Sequence, residues 1–165
     1  MPRQLPQAVA NEFIRRFREG HPGWGSPNQT WLQKMVHIAN GWNLAVNGEP
    51  LVSQPPEAWD NGPVFRAIWN HLRDWGYNVS GLMGPAGSQT PFHADLTESE
   101  KAVIDHVWKR YADYSGRELS AMTHEADTPW TKAYFGRGQN ARLNEEEIRG
   151  HYINLALAGR GQAAG

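Results

Sequence analysis

The chain has 165 residues, 39% of them hydrophobic and 20% charged, with a formal net charge of -1. That length fits one domain with a modest core, and the balanced charge argues against a nucleic-acid binder, whose affinity comes largely from a basic excess set against phosphates. Cysteine is absent, which removes disulfides, thiolate metal sites and a cysteine nucleophile.

The first residues, "MPRQLPQAVANEF", lack the apolar stretch of a secretory signal, and no apolar run reaches the length of a membrane span. A soluble, cytoplasmic protein is expected. Eight tryptophans are many for this length. Each indole covers a large area and its N–H wants an acceptor, so each belongs to a core or to an interface.

Val9, Phe13 and Phe17 recur four apart and predict a short amphipathic helix that stops at Gly20, with Arg15, Arg16 and Arg18 on its other face. "HPGWGSP", His21 to Pro27, reads as a loop. Ser26, Pro27 and Gln29 have the form of a capping box opening a second helix. Leu32, Met35, Val36, Ala39, Trp42 and Val46 give that helix one broad apolar face, and "NGEP" from Asn47 ends it. Gly41, inside the helix, costs about 1 kcal/mol relative to alanine. It marks a place where another backbone or an indole comes close.

Leu51 and Val52 read as extended, and Pro55 and Pro56 exclude a central strand, which leaves room for a short β-hairpin near residues 50–58. Pro63 suits the first position of a third helix, with Val64, Phe65, Ile68, Trp69, Leu72 and Trp75 on its apolar side and Gly76 as its stop. Tyr77 to Asp95, rich in glycine and proline, predicts a long, mobile loop. Its "GLMGPAG" lacks the Gly-Lys-Ser/Thr of a phosphate loop.

Thr97 with Glu100 forms a capping box before Val103, Ile104, Val107, Trp108 and Tyr111. Ser115 with Glu118 opens a short helix carrying Leu119 and Met122, and Thr128–Pro129 opens another through Trp130 and Tyr134. Asn144 and Glu147 cap a last helix with Ile148, Tyr152 and Leu155 inward. The expectation is an all-α, compact single-domain bundle of about six or seven helices, with the domain at residues 1–158 and a flexible C-terminal tail at 159–165.

Chemistry is harder to find. The seven histidines form no His-Glu-x-x-His or Cys/His spacing. His93–Asp95 is a loop pair, and His124–Glu125 follows a short helix, where a histidine ordinarily serves the helix C-terminus. The glutamates cluster at helix starts, where the dipole accounts for them. No serine sits in a Gly-x-Ser-x-Gly elbow. No catalytic residue, cofactor or metal site is expected. What remains are aromatics beside turns: Trp42 after Gly41, Trp59 before Asp60–Asn61–Gly62–Pro63, and Trp130 after Asp127–Thr128–Pro129.

Three blocks carry a resemblance: "LQKMVHIANGWNLAVNGEPL" from Leu32, "EAWDNGPVF" from Glu57, and "LTESEKAVIDHVWKRYADYSGRELSAMTHEADTPWTKAY" from Leu96. In order and spacing the chain, over roughly residues 5 to 155, resembles the Panacea domain, the SocA-like antitoxin domain also found in phage-associated GepA-type proteins. The resemblance implies a helical antitoxin that binds a cognate protein toxin directly. In the SocA case it also implies an adaptor that delivers the toxin to a Clp-type protease. It implies no enzyme, and the lack of a long apolar run leaves no membrane partner expected. Partner-binding residues expected on this basis are Lys34, Trp42, Trp59, Asp60, Asn61, His124, Glu125 and Trp130. The stretches "HPGWGSP" and "VSGLMGPAGSQTPFHAD" depart from the family pattern and are candidate determinants of partner choice. Three other readings stay open: proteolytic adaptor, enzyme using His124, Glu125 or His93–Asp95, and DNA binding through Arg15, Arg16 and Arg18.

Overall fold

The computed structural model describes residues 3–20, 23, 25–75, 79 and 81–164, the last five by their backbone only. His21, Pro22 and Trp24 of the first expected loop, the Gly76 stop and the start of the loop after it lie outside the described residues.

Among the described residues, seven helices and one two-stranded antiparallel hairpin are found in the order α1 (Pro6–Gly20), α2 (Gln29–Asn47), β1 (Glu57–Trp59), β2 (Gly62–Val64), α3 (Arg66–Asp74), α4 (Glu98–Tyr111), α5 (Gly116–Thr123), α6 (Pro129–Arg137) and α7 (Glu145–Ala164). The local signals explain most boundaries. Two of the expected capping boxes form in full, Thr97 with Glu100 on α4 and Ser115 with Glu118 on α5. Thr128 caps α6 with Pro129 behind it, and the Asn144 side chain accepts from the Glu147 N–H at 3.0 Å.

The start of α2 differs from expectation. Asn28, not Ser26, is its cap, accepting from the N–H groups of Thr30 and Trp31. One carboxamide oxygen there serves two orphan donors, so Pro27 is left outside the helix.

Helix α2 is the axis of the bundle, packed by α1, α4, α5 and α7. From Trp31 to Leu44 every residue is buried. The single apolar face read from its periodicity is therefore only part of the contact surface. Buried polar residues are costly unless they find partners inside, and Gln33, Asn40 and Asn43 of α2 find them by gripping the irregular segment that follows it, while His37 Nδ1 and Asn40 Nδ2 make no hydrogen bond among the described residues. Asn40 accepts from the N–H groups of Leu51 and Val52, at 2.9 and 3.3 Å. Asn43 donates to the Glu49 carbonyl at 2.8 Å, and Gln33 brackets Phe65, accepting from its N–H at 2.9 Å and donating to its carbonyl at 3.2 Å. Where α2 meets α7, Gly41 lies against the Tyr152 ring, close enough that any Cβ would overlap it. The close approach expected at this glycine is made by a phenol.

The hairpin lies at 57–64, later than the 50–58 expected, and it takes in Pro63, expected to open α3. Its register pairs Glu57 with Val64, Ala58 with Pro63 and Trp59 with Gly62. Asp60 and Asn61 make the two-residue turn, and Gly62 adopts φ 117°, a conformation that side chains rarely tolerate. Proline survives because its partner Ala58 turns its backbone the other way, donating to Ala141 O and accepting from Asn140 N, both at 2.7 Å. Helix α3 then begins at Arg66 with Phe65 as its cap residue.

Between α3 and α4 the described part of the loop is anchored at Met83 and Phe92, against the mobility expected there. The fully buried Asn11 of α1 donates to the Met83 and Phe92 carbonyls, both at 2.8 Å, and accepts from the Met83 N–H at 2.7 Å. Met83 itself is fully buried. Replacing Asn11 with leucine should cost about 3 kcal/mol, because it strands one buried N–H and two carbonyls. Amide exchange at Met83 should accelerate by more than exchange within α2.

Candidate partner-binding surface

The hairpin turn is held from three directions. Ser120 of α5 donates to the Asn61 carbonyl at 2.6 Å. Trp130 of α6 donates through Nε1 to the Trp59 carbonyl at 2.6 Å, and Lys34 of α2 donates through Nζ to the Pro63 carbonyl at 2.9 Å. The Asp60 carboxylate, at the tip, accepts from Tyr134 Oη at 2.7 Å and Gln139 Nε2 at 2.9 Å. That bond to the phenol raises the Tyr134 pKa. The turn is thus a rigid projection rather than a loose loop.

Aromatic rings surround it. Trp59 and Trp69 meet edge to face at 5.4 Å, with the Arg66 guanidinium over one ring and that of Arg73 over the other, at 5.2 and 5.0 Å. Glu57 holds Arg66 through both carboxylate oxygens and also accepts from Trp59 Nε1, so the arginine and the indole are fixed together. The guanidinium bond is the main reason the Glu57 carboxyl stays below its usual range. On α6, Trp130 and Tyr134 stack at 4.7 Å, and Phe135 closes edge-on to both. Phe135 is 74% exposed.

A cavity lies on each side of the turn, and Asn61 and Thr30 line both. The broader one, about 1050 Å³, runs along the starts of α2 and α5 past Tyr114, Arg117 and His124. The smaller, about 330 Å³, has Lys34 and Gln33 at its base and Trp59, Trp69 and Asn140 among its walls.

The structure gathers Lys34, Trp59, Asp60, Asn61, His124 and Trp130 around the turn but gives them different exposures. Asp60 and Asn61 are exposed and Trp59 is half-buried, whereas Trp130 and Lys34 are buried. His124 packs edge-on to Trp130 at 5.4 Å and is bonded through Nδ1 to the Ser120 carbonyl, so it serves the end of α5. The Glu125 side chain is exposed and lines a separate cavity with His151 and Tyr152, while its carbonyl accepts from the hydroxyls of Thr128 and Thr131. Trp42 lies apart from the turn. It is buried, donates to Tyr111 Oη at 3.1 Å and carries the Arg110 guanidinium on its ring. Sequence reasoning missed Phe135. The adjacent pair Tyr134–Phe135 was the available signal, since a helix cannot turn two neighbouring rings onto one inward stripe.

No hydrogen bond or ion pair joins His93 to Asp95. Arg15 and Arg16 are engaged by Glu12 and Asp105, at 3.3 and 2.6 Å, which leaves the α1 cluster largely neutralised. Among the described residues no group of three or more His, Asp or Glu side chains converges as a metal site, and no helix is long and apolar enough to cross a membrane.

A family model described as antitoxin SocA-like, Panacea domain matches residues 32–131. The chain belongs to this SocA-like antitoxin family. The match runs from the first turn of α2 to the start of α6, so it contains Lys34, the hairpin and Trp130, while Tyr134 and Phe135 of this Panacea domain lie beyond it. No curated protein and no solved structure matches the chain.

Proposed function

We propose that this Panacea domain neutralises a protein toxin by docking onto it stoichiometrically with the face around the hairpin turn. The family match supports the antitoxin role. The observation that carries the choice of face is Phe135, a phenylalanine left 74% in water beside a stacked Trp130–Tyr134 pair. A ring so exposed contributes little to the fold, and a rigid aromatic cluster next to a fixed polar turn has the make-up of a binding hot spot. Asp60, Asn61 and the Trp59–Trp69 pair extend that surface.

The toxin is sought in the adjacent reading frame, expressed with this chain. Phe135→Asp should weaken binding by about 30-fold or more, by the standard of hot-spot truncations, and leave the melting temperature unchanged. Unaltered affinity in that variant would move the docking face elsewhere, and a neighbouring product that is harmless and never co-purifies would remove the reading.

Delivery of the toxin to a Clp-type protease needs a second surface. A small apolar cavity of about 190 Å³ between α2 and α4, lined by Trp42, Val46, Val103 and His106 with Val46 63% exposed, supports such a reading. Toxin half-life should then lengthen when this gene is deleted; an unchanged half-life counts against the adaptor role.

A further inference from the structure

Lys34 is a cation without a counter-charge. It is 2% exposed, and its ammonium carries three donors, of which the Pro63 carbonyl takes one. Among the described residues no carboxylate lies within ion-pair distance of it, and burial alone accounts for its lowered pKa. The groups that face it are neutral or basic: Gly62 and Pro63 from the hairpin, Thr123 from α5, and His37 one turn along α2. The absence of a side chain at Gly62 keeps the space beside Nζ open, since a Cβ there would stand 3.3 Å from it.

Lys34 lines the smaller cavity, of about 330 Å³. Gln29, Asn61 and Asn140 line the same space, and among the described residues their side chains make no hydrogen bond. These are uncharged donors that complement an anion. The one acid on the wall, Asp60, is already held by Tyr134 and Gln139.

We infer that this cavity is a receptor for a single carboxylate, with Lys34 as its cation, and that the carboxylate is an acidic side chain of the toxin. The second half rests on the docking reading above. An ammonium buried without an anion is costly, and an incoming carboxylate offsets that cost while filling the two idle donors. A protein partner suits the site better than a free acid because the mouth is walled by Trp59 and Trp69, half-buried rings that a small acid would leave wet. Burial holds the Lys34 pKa down to about 7, so a large share of the molecules carry the charge at neutral pH and an anion would draw in the rest.

The test has two arms on the full chain. In the first, sodium acetate replaces sodium chloride at constant ionic strength, and the Lys34 Nζ and side-chain amide signals are followed by NMR. A saturable shift in the wild type, lost in Lys34→Met, is the expected result. No saturable response in the wild type overturns the site, whatever the toxin does. In the second arm, Lys34→Met and Lys34→Gln are compared with wild type for toxin binding, with circular dichroism to confirm folding. A loss of about 30-fold or more is expected for removing one partner of a buried charge pair. Equal toxin affinity together with saturable acetate binding overturns the toxin as the source and leaves a receptor for a small acid. If the toxin fails to bind even the wild type, the docking reading falls and the acetate arm alone decides the site.

Discussion

Gly41→Ala should destabilise the fold by about 3 kcal/mol, at the upper end of what overpacking costs, and should lower the melting temperature by several degrees. The added methyl would overlap the Tyr152 ring. That ring has little room to retreat, because it is 3% exposed and wedged against His37, Trp42 and His151. Helices α2 and α7 would have to separate along one of the principal seams of the bundle. A surface glycine in a helix behaves oppositely, gaining stability on change to alanine; Gly150 of α7, with open space at its Cβ position, is the internal control. Pairing Gly41→Ala with Tyr152→Leu should recover part of the loss. Additive effects in that double mutant would place the cost elsewhere.

Stability should climb with pH over two windows. Burial pushes the His37 pKa from 6.5 down to about 3, helped by the nearby charges of Lys34 and His151. From about pH 3 to 6.5 the unfolded chain therefore holds a proton that the folded chain refuses, and stability rises by up to about 1.4 kcal/mol per unit. Lys34 repeats the effect between about 7 and its ordinary value of 10.5. The upper window closes early, because Tyr152, Tyr111 and Tyr134 all have raised pKa values and oppose further gain once unfolded tyrosines ionise near pH 10. Denaturant titrations at pH 4, 6, 7.5 and 9 would read both slopes. Lys34→Met should flatten the upper one, narrow the lower one only by the smaller share that the Lys34 charge adds to the His37 shift, and be the more stable protein at pH 6, despite losing the bond to Pro63. A Lys34→Met protein that keeps the rise between pH 7 and 9 would show that the proton sits on another group.

The helices were legible because their ends are local. A capping oxygen and a glutamate three residues later are enough to place α4 and α5, and the apolar spacings of Val103 to Tyr111 and Ile148 to Tyr152 follow from one helical period. The hairpin was misplaced because its stability comes from afar. Ala58 is completed by Asn140 and Ala141, and the turn by Ser120 and Trp130, none of them near it in sequence. The same holds for the loop that Asn11 anchors across more than seventy residues. The all-round burial of α2 was hidden for another reason: Gln33, Lys34, His37, Asn40 and Asn43 look like a solvated face until the segments they grip are in place.

At the candidate site the turn Trp59–Gly62 could be found from composition, because a tryptophan beside Asp-Asn-Gly-Pro demands a fixed geometry. That Lys34 is interior, and that Phe135 is the ring left outside, depends on how α2 and α6 are rotated in the assembled bundle, which their periodicities did not settle.

The docking claim is tested most directly by hydrogen exchange of the full chain alone and with the toxin at equimolar concentration. Protection should appear around residues 59–64 and 130–139 and saturate at one toxin per chain. Protection confined to other helices, or none at full occupancy, would contradict the claim that the hairpin face is where this domain docks its partner.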